Sequence, residues 1–161
     1  MDFKQRLQKA AERGQRTRDA KSREKASKAL SEEEFKRLHS KLRLEVTEHV
    51  EQCLGQLADE VLGFRCEPLV DEYGWGAAVS RDDVGRGADG RRDNFYSRLE
   101  IVVTPFGEHH VLEMVVKGTI RNKEVINRNH YEMLDEVDCE SFTERIDLWV
   151  LEYAELYAAA D

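Results

Sequence analysis

The chain has 161 residues, 40% apolar and 36% charged, with a net charge of −8. That length suits one ordinary domain with a real core, and no apolar run approaches the roughly 18 residues needed to span a bilayer. The N-terminus lacks the apolar stretch of a secretory signal. Cys53, Cys66 and Cys139 are odd in number and scattered, so a cytoplasmic location with buried free thiols is expected.

The charge is segregated. Residues 1–29 carry ten Lys/Arg against four Asp/Glu, a net +6, and the remaining fifteen and 29 give residues 30–161 a net −14. This reads as a basic arm, residues 1–29, on a single acidic domain, residues 30–161. The arm is rich in Ala, Lys, Arg, Glu and Gln, all good helix formers. Its apolar content is thin, with Phe3, Leu7 and Ala10 or Ala11 on one face, so a frayed or partly disordered helical arm is expected.

At Ser31 the pattern sharpens. Ser31 with Glu34 three residues on has the form of a capping box. Phe35, Leu38, Leu42, Val46, Val50, Cys53, Leu57 and Val61 then recur at about 3.7 residues per step, the helical period. Gly63 is placed to end this helix in the left-handed region.

From Phe64 the period changes to two. "FRCEPLV" reads as a strand that Pro68 confines to an edge, and "WGAAVSR" as a second short strand. "RDDVGRGADGRRDN" (81–94) reads as a long, mobile hairpin loop. "YSRLEIVV" then puts Leu99, Ile101 and Val103 on one face. After the turn at Pro105 and Gly107, "VLEMVVKGTI" points Leu112, Met114 and Val116 inward. "RNKEVINRNHY" reads as a continued or fresh strand. The last element is a helix starting near Ser141, whose pairing with Glu144 resembles a second capping box, with Phe142, Ile146, Trp149, Val150, Tyr153 and Tyr157 on one stripe. The expected architecture is α+β: an antiparallel meander sheet of about four strands, flanked by a long N-terminal helix and a C-terminal helix.

The motifs mostly exclude chemistry. Gly85, Gly87 and Gly90 have the G-x-G-x-x-G spacing of a phosphate cradle, but a strand follows them where a dinucleotide fold needs a helix. The lysine and the H-R-D and D-F-G segments that a kinase loop would require are missing. His49 and Cys53, at i and i+4, have chelating spacing, but the sequence marks no further ligands beside them, so no metal site is expected. No catalytic set stands out among the cysteines, histidines and many acids, and no cofactor is expected.

What remains is binding. Arg98, Lys117, Arg121, Lys123 and Arg128 form a basic interruption in an acidic body, and on one continuous strand Lys117, Arg121 and Lys123 would share a face. Arg16, Arg18, Lys21 and Arg23 are the corresponding cations of the arm. The expectation is a non-enzymatic protein-interaction module, adaptor-like or chaperone-like and self-associating. If helices cover one sheet face only, Val102, Val111 and Val115 are left on the other. The alternative is binding of nucleic acid or another anionic partner through the arm and the strand patch.

Overall fold

The computed structural model of the chain describes residues 2–160, with residues 27–30 among them described only by their backbone. The chain divides into two compact units, Met1–Arg37 and Leu38–Asp161. The boundary expected at 29/30 falls among the residues whose side chains are not described. Helix α1 spans Phe3–Glu60 and so contributes to both units.

In the first unit the helix begins 28 residues ahead of the expected capping box. Asp2 starts it, accepting a hydrogen bond from the Gln5 backbone N–H at 2.9 Å. Ser31 is therefore an interior helical residue and not an N-cap. The run of strong helix formers before it carries the helix through, at a cost of only a few tenths of a kcal/mol for the serine. Every described side chain of residues 2–26 is exposed.

In the second unit the rest of α1 is followed by β1 (Arg65–Asp71), β2 (Gly74–Arg86), β3 (Arg92–Val103), β4 (Val111–Ile120) and β5 (Lys123–Met133), then by a 3₁₀ turn over Leu134–Glu136 and helix α2 (Cys139–Ala159). The five strands pair in chain order, each antiparallel to the next. The fold is thus the expected α+β meander, with five strands where about four were read. The fifth is "KEVINRNHYEM". It is a fresh strand because Arg121 and Asn122 take up positive φ, 47° and 70°, the conformation of a two-residue hairpin turn.

The glycine-rich segment differs most from expectation. β2 and β3 stay paired out to Arg86 opposite Arg92, so the fourteen-residue loop shrinks to Gly87–Arg91. Gly87 N–H donates to the Arg91 carbonyl at 2.9 Å, closing the turn. Glycine and aspartate have poor strand propensity, but a hairpin in register supplies the backbone partners regardless. The three glycines join strand to strand, as expected, and no helix starts there.

One sheet face is covered by residues 38–60 of α1 together with α2. Ala77, Val79, Leu99, Ile101, Val103, Leu112, Met114 and Val116 are all buried at this face, against Val46, Val50, Leu54, Leu57, Phe142, Ile146 and Tyr153. Leu54, next to Cys53 in the chain, was not on the predicted helical stripe; it takes the central place, while Cys53 lies half-exposed on the flank. α1 ends at Glu60, and Gly63 has φ +92° as the stop signal required. The Arg81 guanidinium fills the space beside Gly63 and donates to the Leu62 carbonyl. A side chain at residue 63 would displace it. At the other helix, Asp138 is the N-cap, accepting from Glu140 N–H at 3.1 Å. α2 therefore starts ahead of the Ser141 read from sequence.

Two glycines show where space is scarce. A Cβ at Gly76 would land on the Ile101 carbonyl oxygen of the neighbouring strand, whereas one at Gly55, inside α1, meets nothing within 4 Å. Gly76→Ala is expected to cost at least about 3 kcal/mol, the upper part of the overpacking range, and Gly55→Ala to stabilise by up to about 1 kcal/mol. Urea unfolding of both variants checks the opposite signs.

His39 is 2% exposed, and its Nε2 has no hydrogen-bond partner among the described residues. Burial holds its pKa below the ordinary 6.5. Between the folded value and 6.5 the unfolded chain binds a proton that the folded one refuses, so stability rises with pH through that window and is lost as pH falls through it. His39→Leu is expected to flatten this dependence, seen as a smaller difference in unfolding midpoint between about pH 5 and about pH 7.5.

Candidate functional site

The residues read as a basic patch separate into three places. Arg98 lies on β3, on the face away from the helices, 3.3 Å from Glu67 and 3.4 Å from Glu100. It also donates to the Tyr96 hydroxyl at 3.4 Å. Lys117 shares this outer face, directly opposite Glu100 in the β3–β4 register. Arg121 sits in the hairpin turn with its guanidinium 4.3 Å from the centre of the Phe95 ring. Lys123 opens β5, and both line a groove of about 500 Å³ with Phe95, Asp93 and Leu156. Arg128 is on the helix side, in a two-pronged pair with Glu152 of α2 at 2.7 and 2.9 Å. That partner holds the Glu152 carboxyl below its ordinary range.

The parity argument fails for a definite reason. The register shifts between Gly118 and Thr119, and the chain reverses at Arg121–Asn122. The turn breaks the alternation that would have kept Lys117, Arg121 and Lys123 on one face, while the extra residue of the register shift, Val125 of β5, lies beyond all three. Within the arm, Arg16 and Arg23 are seven residues apart and share a helix face. Arg18 and Lys21 lie around the other side. All four are exposed.

The outer sheet face has an apolar centre. Leu69, Val102 and Val115 are half-buried and line a groove of about 320 Å³ with Tyr73, Arg98 and Lys117. Tyr73, Tyr131 and Met133 are largely exposed, and β-strand alternation places Tyr131 and Met133 on the same side as Val115. Val111 is half-buried as well. Among the described residues of the second unit, no helix covers this face. The sequence marks Tyr131 only as the last residue of the strand segment "RNKEVINRNHY". Its role at the edge of an apolar face follows from the strand register, which sequence does not display.

The edges of the sheet differ. Among the described residues, β1 carries Pro68 and pairs with β2 alone. β5 likewise pairs with β4 alone, contains no proline and keeps one register from Ile126 to Met133. It leaves a row of edge backbone donors and acceptors over that stretch.

A third feature joins residues far apart in sequence. His49 Nε2 lies 2.7 Å from Asp147 Oδ1 and 3.4 Å from Cys53 Sγ, and the thiol donates to the same carboxylate oxygen at 3.3 Å. The i, i+4 pair was visible in the sequence; Asp147, on α2, was not. The thiols are less buried than expected. Cys53 and Cys139 are intermediate and Cys66, on β1, is exposed. Burial and Asp147 push the Cys53 thiol up to about 12, and burial and Glu45 push Cys139 up to about 11. At neutral pH these thiols are protonated and so are not poised as nucleophiles.

No helix among the described residues is long and apolar enough to cross a membrane. No protein-family model, no curated protein and no solved structure matches this chain.

Proposed function

We propose that this protein is a non-enzymatic protein-interaction module that associates with a second copy of itself through the outer face of its sheet. The observation that supports this most is the apolar stripe of Leu69, Val102 and Val115, rimmed by Tyr73, Tyr131 and Met133, on a face that α2 and residues 38–60 of α1 leave uncovered. Exposed apolar surface of this kind costs free energy until it is covered.

Charge favours a second copy as the cover. The face carries Arg98 and Lys117 among Glu67, Glu100 and Glu113. A half-turn about an axis through the valines can set the cations of one copy against the acids of the other. The β5 edge adjoins the same face.

Val102→Lys and Val115→Lys place charge in the middle of the stripe. Each is expected to weaken self-association at least about tenfold, the scale of losing one central anchor, with the thermal unfolding midpoint of the dissociated chain little changed. Sedimentation velocity across a concentration series reads the effect. A strict monomer at all concentrations, together with no protein retained in a pull-down, would end this reading.

A second reading concerns the arm, where Arg16, Arg18, Lys21 and Arg23 all face solvent around the helix. Such a segment suits a polyanion. Full-length protein is expected to bind single- or double-stranded nucleic acid with an affinity that falls with a log–log salt slope of about −0.7 to −0.9 per phosphate neutralised. Removal of residues 1–29 abolishes that binding, as read by fluorescence anisotropy. Absence of binding by the full chain at low salt excludes it.

A further inference from the structure

The contacts among His49, Cys53 and Asp147 have the form of a ligand set. The thiol and the carboxylate both meet the imidazole at Nε2. A proton relay would divide them, with the carboxylate on Nδ1 and the thiol on Nε2. Here all three donor atoms turn toward one point, with Sγ, Nε2 and Oδ1 within 4.8 Å of one another.

We propose that His49, Cys53 and Asp147 form a binding site for a zinc-class divalent cation that bridges α1 and α2. A tetrahedral zinc ion, with bonds of about 2.3 Å to sulfur and about 2.0–2.2 Å to nitrogen and oxygen, requires ligand atoms about 3.3–3.6 Å apart. The two edges that include sulfur measure 3.4 and 3.3 Å. The third, between His49 and Asp147, is 2.7 Å and must open by roughly 0.6 Å to meet the same requirement. The Asp147 side chain has the freedom for that, being 52% exposed, while His49 at 26% is the firmer anchor.

The chemistry agrees with the geometry. Nitrogen, thiolate sulfur and carboxylate oxygen are all zinc donors, and a thiolate plus a carboxylate cancel a charge of +2. Without an ion, burial first and the neighbouring Asp147 second keep the proton on Cys53. A divalent cation reverses that balance and takes the thiolate, releasing the proton to solvent. Three protein ligands leave the fourth position exchangeable. Cys53 and Asp147 also line a groove of about 380 Å³, walled by Leu57, Val150 and Leu151, with Gln56 and Glu60 at its side. Water, or an oxygen from Gln56 or Glu60, completes the shell from this groove.

The test uses the full-length chain, stripped of metal and titrated with Zn²⁺ against a chromophoric chelator, with Co²⁺ as the spectroscopic probe. One Zn²⁺ per chain is expected, and Co²⁺ develops the sulfur-to-metal absorption of a tetrahedral thiolate site. Cys53→Ser removes that band, and His49→Gln and Asp147→Asn weaken Zn²⁺ binding by at least about 100-fold, beyond the 10–100-fold of outer-shell changes. Cys66→Ser and Cys139→Ser leave binding unchanged. Circular dichroism verifies that each variant is folded. X-ray absorption of the zinc-loaded native chain gives a reading that needs no variant: one sulfur with two or three nitrogen or oxygen neighbours supports the site. A failure to bind Zn²⁺, a shell with no sulfur or with two, or a Co²⁺ band that survives Cys53→Ser overturns it.

Discussion

The hold of α2 on the sheet depends on Tyr153. The residue is fully buried, its hydroxyl donates to the Thr119 carbonyl at 2.7 Å, and its ring occupies the space over Gly118. The contact falls where β4 and β5 shift register, between Gly118 and Thr119. A buried tyrosine needs an acceptor for its hydroxyl, and the Thr119 carbonyl supplies it, so α2 is fixed against the end of β4. Phe64, edge-on to Tyr153 and Tyr157, extends this contact to the end of α1, where Arg81 holds the Leu62 carbonyl.

One-sided covering follows from that arrangement. Both helices of the second unit spend their apolar stripes on the same sheet face, so the residues of opposite parity on β3 and β4 are left without a layer. On a sheet that met water comfortably these would all be polar. Here the outer positions alternate cations and acids with Val102 and Val115. The ionic members partly satisfy one another, as the Glu67–Arg98–Glu100 series shows, and such exposed pairs contribute little stability. In the proposed self-association these charges select what is set against the valines, so the charges and the apolar stripe act there as one surface.

Much of the fold was legible because it rests on periodicity. The 3.6-residue stripe of α2 and the two-residue alternation of Leu99–Val103 and Leu112–Val116 each reappear as buried faces. What was not legible depends on partners distant in sequence. The segment 81–94 has the composition of a loop, yet pairing across the hairpin makes most of it strand. Ser31 has the local form of a cap, yet the helix had already begun. For the candidate surfaces, Val102, Val111 and Val115 could be placed by parity alone. The basic patch could not, since the turn at Arg121–Asn122 redistributes its members. Arg128 ended on the helix side, bound to Glu152.

The same distinction explains the His49–Cys53–Asp147 cluster. Helical spacing sets His49 and Cys53 one turn apart on the flank of α1, where the stripe's centre at Leu54 leaves them half-exposed. Asp147 follows Ile146, a buried core position of α2, so the packing of Ile146 decides where the carboxylate goes. It reaches the His49 imidazole and the Cys53 thiol only because the two helices lie side by side on the sheet. A metal ligand set of this kind has no motif of its own: two donors come from local geometry, and the third is delivered by the hydrophobic core.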